Sequence, residues 1–177
     1  MRPITDSNRA NRCAQLADEM LVSKGMYERD FDPAWLRHHE RKVVPVKSEY
    51  GHFSPEEIER IVQALNLANY TECLAVATET LDPLPRCYDL AISSEDFRNF
   101  RRECGLLGYL LMDEARSWAI SCYGKYKLFA GSAQMLEMLL GTVIPVARRD
   151  FAEFAKSLDG DLTHAPYTTI ASRYSDI

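Results

Sequence analysis

The hydrophobic and polar positions of this chain follow two periods, one typical of helices and one typical of strands. The clearest helical period lies in "FSPEEIERIVQALNLANY". Here Ser54 can act as N-cap, Pro55 can open the first turn, and Glu57 can complete a capping box. The apolar stripe of this segment consists of Ile58, Ile61, Val62 and Leu65. The pattern predicts an amphipathic helix with one buried face.

Five further segments show a helical period with recognisable ends. Four of them have these start and stop signals: Asp6 or Ser7 with Gly25, Asp32–Pro33 with an end near His39, the serines before Glu95 with Gly105, and Ser132 with Gly141. The fifth is the amphipathic segment "ARRDFAEFAKSLDG". Small polar N-caps and C-terminal glycines are typical of helix ends because they satisfy backbone groups that lack partners inside the helix. The chain therefore contains several short helices. The tail from Leu162 to Ile177 shows no clear period.

Strand-like runs occupy the middle of the chain. "CLAVATET" and "RCYDLAIS" are separated by the turn-forming "LDPLP", and three more runs follow at about 107–113, 117–123 and 126–130. The last three have short connections, which predict antiparallel pairing because a parallel neighbour needs a long crossover. "VVPVKSEYGH" is either irregular or a short edge strand, since Pro45 cannot donate to a sheet.

This order of elements predicts an α+β fold, with an antiparallel sheet of about five strands covered by helices and an N-terminal helical segment. The length suits one domain spanning 1–177, in which residues 1–50 either join the main core or form a helical arm.

The segment "SWAISCYGKYKLFAG" predicts a hairpin whose two faces differ. With Gly124 and Lys125 as a two-residue turn, Tyr123 lies opposite Tyr126. The bulkier and more apolar face is assigned to the core, and it carries Trp118, Ile120, Cys122, Lys127 and Phe129. Tyr123 and Tyr126 then share an open face. Paired tyrosines suit protein binding, because each offers a large contact area and a polar tip, although the pair can equally serve only to stabilise the hairpin.

Adjacent carboxylates provide a second candidate site. Asp113 and Glu114 lie in the predicted turn "DEAR" near the tyrosine-bearing strands. We predict Asp113, Glu114, Tyr123 and Tyr126 as partner-binding residues. The alternative for the two acids is ordinary solvation of a turn.

Composition narrows the choice of partner. The chain carries a net charge of −5, which favours a basic protein partner and disfavours nucleic acid. No N-terminal signal segment and no 18-residue apolar run is recognisable, so we expect a cytoplasmic protein that does not bind membranes.

Residues that usually carry catalysis or bind cofactors form no motif. The five cysteines are widely spaced without CxxC, the histidines lack HxxxH spacing, and the glycines form no phosphate loop. We therefore expect no cofactor, no metal and no catalytic residues. A dispersed active site using Cys104 or His52 stays an alternative, as does nucleic-acid binding through Arg98, Arg101 and Arg102.

The stretch "YLLMDEARSWAISCYGKYKLFAGSAQMLEMLLG" resembles the C-terminal part of bacterial immunity proteins of polymorphic-toxin and contact-dependent inhibition systems. The shared pattern is a strand, a turn, a strand with a central Trp, a strand with a Tyr, an "AG" and a closing helix. The matching positions are Trp118, Tyr126, Ala130, Gly131 and Leu136. The resemblance implies a non-enzymatic, cytoplasmic inhibitor that covers the active site of a cognate toxin. A phage or mobile-element protein that binds a host defence factor would show the same sequence features.

Overall fold

The computed structural model describes residues 1–23, 29–48, 52–79, 84–104, 108–123, 126–158 and 167–175. Its helices are α1 (Ser7–Met20), α2 (Pro33–His38), α3 (Pro55–Leu67), α4 (Ser94–Cys104), α5 (Ala133–Leu140), α6 (Ile144–Leu158) and α7 (Tyr167–Arg173). Its strands are β1 (Arg2–Pro3), β2 (Leu21–Ser23), β3 (Arg29–Phe31), β4 (Lys42–Lys47), β5 (Glu72–Ala77), β6 (Cys87–Ala91), β7 (Tyr109–Met112), β8 (Trp118–Tyr123) and β9 (Tyr126–Gly131). The fold is α+β, as predicted.

 Within the described residues, the main sheet has seven strands in the order β1-β6-β5-β7-β8-β9-β4, joined in six antiparallel pairs, with β1 and β4 at the two open edges. The prediction of about five strands did not include β1, and it left the segment of β4 as either irregular or a short edge strand. Pro45 lies in β4, opposite Leu128 of β9, so the edge-strand interpretation of this segment is confirmed.

The order of the strands departs from their order in the chain at β5. This strand pairs with β6 on one side and with β7 on the other. Since both neighbours are antiparallel to β5, they are parallel to each other, and the chain needs a crossover between them. Helix α4 lies in that connection and packs on β6. From β7 onward the chain forms a simple meander to β9.

The core below α3, α4 and α5 contains the face that the hairpin pattern assigned to the interior. Trp118, Ile120 and Phe129 are fully buried there, together with Ile61 and Leu136 from the covering helices. The predicted register is also confirmed, because Tyr123 lies opposite Tyr126 and Ser121 opposite Leu128. The proposed turn at residues 124–125 lies outside the described residues.

A second core lies on the opposite face of the sheet, where the sequence predicted an open surface. Helices α1, α6 and α7 cover this face, and Leu110, Ala119, Tyr126 and Leu128 are buried beneath them. The prediction of an open face was therefore wrong. The three central strands are apolar on both sides, as in "YLLM" and "WAISCY", and such strands are typical of a sheet that is covered twice.

Several helix ends follow the predicted signals. Ser54 and Glu57 form the capping box of α3, and Gly141 ends α5 with a φ of 67°. Helix α1 ends at Met20, earlier than expected, because the chain continues directly into β2. Gly25 and Gly105, two predicted stops, lie outside the described residues. The tail contains α7, which the sequence period did not reveal.

Candidate functional site

Asp113, the first predicted recognition acid, is buried in the turn between β7 and β8. One of its carboxylate oxygens accepts hydrogen bonds from the backbone N–H groups of Ser117 at 2.7 Å and Trp118 at 3.1 Å. Its side chain therefore holds the turn together and orients the start of β8. Only 7% of the residue is exposed, which leaves little of it for a partner.

Glu114, the second predicted acid, is directed to the surface. Its side chain is 65% exposed, and a carboxylate oxygen lies 3.4 Å from Nη2 of Arg9 in α1. The same guanidinium forms two short hydrogen bonds, both of 2.6 Å, with Asp89 of β6. Arg9 therefore links the helix to the sheet mainly through Asp89, and Glu114 keeps most of its surface accessible.

The two predicted tyrosines lie opposite each other but not on an open face. Tyr126 is only 6% exposed, and its ring lies 6.4 Å from that of Phe151 and 6.1 Å from that of Tyr167, centre to centre. Tyr123 is half-buried and packs against Gly108, where an added Cβ would come within 2.7 Å of the tyrosine ring. The premise that Tyr126 is exposed was wrong, because α6 and α7 cover it.

Tyr126 and Glu114 were both predicted to bind a partner at the surface, but the structure predicts different effects on stability when each is replaced with alanine. Tyr126→Ala should lower the free energy of unfolding by about 3 kcal/mol, because it removes a buried ring and leaves a cavity. Glu114→Ala should change it by less than about 0.5 kcal/mol, as is usual at an exposed position. Urea denaturation of both variants checks this. Equal stability of the two would contradict the buried position of Tyr126.

All five cysteines are buried and free. Burial raises the pKa of Cys122 to about 12 and that of Cys87 to about 11, and it also raises the pKa of Cys104. A raised pKa leaves little thiolate at neutral pH, and the thiolate is the nucleophilic form. The geometry therefore favours structural roles for these side chains, Cys104 included.

The three arginines of α4 have different hydrogen-bond partners. Arg98 donates to Glu59 of α3 at 2.6 Å, and Arg102 donates to Asn99 at 3.1 Å. Arg101 instead donates to the backbone oxygen of Phe53 at 3.0 Å. Each of the three guanidinium groups is thus engaged with a different group of the protein, which gives the proposed phosphate-binding face less support.

A cleft of about 690 Å³ lies where the end of β4 and the start of β9 meet the start of α3. Its wall contains Lys127, whose side chain is 1% exposed. The ammonium lies 2.6 and 2.7 Å from the two carboxylate oxygens of Glu57, 3.0 Å from the backbone oxygen of His52, and 4.7 Å from the ring centre of Phe53. These contacts satisfy all three ammonium donors, as burial of a charge requires. The sequence placed Lys127 on the core face but did not reveal Glu57 as its partner.

Further cations line the same cleft. Arg101 reaches it from α4, Arg60 from α3, and Lys47 from β4. His52 also lines it, and burial together with the charges of Arg101 and Lys127 lowers the pKa of its imidazole. The Nδ1 atom of His52 is buried and has no hydrogen-bond partner within the described part of the chain. The described wall of the cleft is therefore basic, although the whole chain is acidic.

The surface where α1 meets the sheet and the β7–β8 turn has the opposite charge pattern. We call it the α1 acidic surface and define it by Asp18, Glu19 and Glu114. Their arginine partners are Arg86, Arg116 and Arg9, respectively. In each pair the carboxylate is more exposed than the guanidinium: 58% against 30%, 47% against 24%, and 65% against 39%. The negative ends of these pairs therefore face the solvent.

Two absences hold for the residues that the structure describes. No group of three or more His, Cys, Asp or Glu side chains could hold a metal ion. No helix is both long enough and apolar enough to span a membrane.

A scan against protein-family models gave no match, and searches of curated proteins and of solved structures gave none either.

Proposed function

We propose that this protein is a non-enzymatic inhibitor of the immunity type, which binds a basic toxin domain and covers its active site. The observation that carries the proposal is the charge pattern of the α1 acidic surface, defined by Asp18, Glu19 and Glu114. Its carboxylates are exposed while their guanidinium partners are turned toward the protein. A surface of this kind favours association with a basic partner.

The net charge of the chain favours the same kind of partner. The chain carries a net charge of −5, which speeds diffusional encounter with a positively charged partner. A nuclease toxin has such a basic surface in its substrate cleft, because it must attract phosphates. Exposed carboxylates can occupy the positions of those phosphates. This supports an inhibitor that blocks the substrate cleft of the toxin directly.

The enzyme alternative has less support from the described side chains. Cys104 is buried with a raised thiol pKa, so it is poorly suited to nucleophilic attack. His52 lies in the basic cleft, but the described residues place no carboxylate as its hydrogen-bond partner. A general base usually needs such an orienting partner. We therefore retain the inhibitor as the proposed function.

The decisive experiment captures the partner and measures its inhibition. The tagged chain is used to isolate bound proteins from its native host, and the toxic or enzymatic activity of a stoichiometric partner is then titrated with purified chain. The triple variant D18N/E19Q/E114Q should weaken inhibition at least about tenfold, because it removes three exposed charges while keeping similar side-chain volumes. The loss should shrink as salt rises.

A matched control neutralises three exposed acids elsewhere. The variant E95Q/E103Q/E137Q changes the net charge equally but alters α4 and α5 instead. It should inhibit nearly as well as the unchanged chain. If both triple variants weaken inhibition to the same degree, only net charge matters and the α1 acidic surface is not the binding site. If no captured protein is inhibited, the proposed function is wrong.

A further inference from the structure

The cleft beside Lys127 concentrates positive charge in an acidic protein. Among the described residues, four cations line it, namely Lys47, Arg60, Arg101 and Lys127, and Glu57 provides one carboxylate. The described lining residues therefore carry a formal charge of +3, whereas the whole chain carries −5. Cations converging on one concave surface repel each other, so such an arrangement favours an anionic occupant.

Lys127 does not supply the binding groups, because its three donors are already satisfied by Glu57 and His52. Arg60 and Arg101 differ from it. Each uses a single nitrogen to donate to a backbone oxygen, that of Leu139 for Arg60 and that of Phe53 for Arg101, both at 3.0 Å. Within the described residues, neither guanidinium is paired with a carboxylate.

The backbone contacts hold these two side chains in place. Arg60 passes over the C-terminal end of α5, and a Cβ added to Gly141 would come within 2.6 Å of its Cδ. A glycine there leaves room for the arginine and also suits the left-handed φ of 67°. A guanidinium held by one nitrogen retains other N–H donors, and its planar fork matches carboxylate and phosphate oxygens.

The size and the walls of the cleft indicate an organic ligand. Its volume of about 690 Å³ lies within the usual range for small-molecule sites. Phe53, Phe154 and Val46 provide apolar surface beside the cations. The buried Nδ1 of His52 is a further polar group without a partner in the described chain.

We propose that this cleft binds a small organic oxyanion, a phosphate ester or a carboxylate, through Arg60 and Arg101. The site does not depend on the proposed inhibitor function, since it lies on different residues from the α1 acidic surface. The phosphate and the carboxylate share the chemistry that a guanidinium recognises, and the experiment separates them.

Isothermal titration calorimetry at constant ionic strength tests this site with three probes: inorganic phosphate, adenosine monophosphate and citrate. We expect saturable one-to-one binding of adenosine monophosphate or of citrate, tighter than that of inorganic phosphate, because only the organic anions can also contact the apolar wall. Arg60→Gln and Arg101→Gln should each weaken binding about tenfold or more, as expected for loss of a charged hydrogen bond.

Arg98→Gln is the matched control, since Arg98 lies on the same helix as Arg101 but pairs with Glu59. It should leave the affinity unchanged. Thermal denaturation of every variant identifies misfolding, and Arg60→Lys, which keeps the charge, provides a second test if Arg60→Gln does not fold. Absence of saturable binding for all three probes would overturn the proposal. Equal losses of affinity in the Arg98 and Arg101 variants would overturn it too.

D18N/E19Q/E114Q should bind the anion normally, so failure of this site and failure of the inhibitor function are distinguishable.

Discussion

Replacing Lys127 with methionine is expected to lower the free energy of unfolding by about 3–5 kcal/mol, the usual cost of removing one partner of a buried ion pair. The ammonium is enclosed by Glu57, the backbone oxygen of His52 and the ring of Phe53. Methionine fills a similar volume but leaves the carboxylate of Glu57 without its cation. Chemical denaturation followed by circular dichroism measures the loss.

Lys47→Met is the control for this experiment. Lys47 lines the same cleft from β4, but its side chain is exposed and it forms no ion pair in the described residues. Its replacement should change stability by less than about 0.5 kcal/mol. The double variant E57Q/K127M should lose less than the sum of the two single variants, because the neutral amide no longer needs a cation. If the stability losses of the two single variants add up to that of the double variant, the interaction between Glu57 and Lys127 does not contribute to stability.

Trp118→Ala is expected to destabilise the protein by about 3–5 kcal/mol, the range for a large buried aromatic side chain. Trp118 is fully buried at the centre of the sheet, and its ring makes an edge contact with Tyr70 at a centre distance of 6.0 Å. Truncation to alanine would open a cavity below α3 and α5 that the surrounding residues can fill only in part.

Trp118→Phe should cost much less, about 1–2 kcal/mol, since most of the ring volume is kept. The indole Nε1 is buried without a hydrogen-bond partner in the described chain, so its removal sacrifices no bond. Leu67→Ala, at a position that is 70% exposed, serves as the control and should be nearly neutral. A loss for Trp118→Phe as large as that for Trp118→Ala would show that Nε1 makes an essential hydrogen bond.

Local patterns predicted the parts of the fold that depend on neighbours in the chain. The capping box of Ser54 and Glu57 needs only four consecutive residues, and the pairing of Tyr123 with Tyr126 needs only a short turn. Strand alternation likewise assigned Trp118 to the core correctly. In each case the determining interaction lies within one element or one hairpin.

The candidate sites could not be predicted in the same way. Alternation identified the less apolar face of the hairpin, but it could not show whether distant helices cover that face. Tyr126 is buried by Phe151 and Tyr167, which lie 25 and 41 residues further along the chain. Asp113 was recognised as a turn residue, but its two backbone hydrogen bonds emerge only from the shape of the turn.

The sequence alone determined the α+β class, the helix caps and the register of the central hairpin, because these follow from propensity, capping and period over short distances. Only the tertiary structure decided that the sheet is covered on both faces, that Lys127 meets Glu57, and that Arg60 and Arg101 line one basic cleft. Lys127 and Glu57 are 70 residues apart. Contacts of this kind depend on how whole elements pack, and burial then sets the energy of each charge that they bring together.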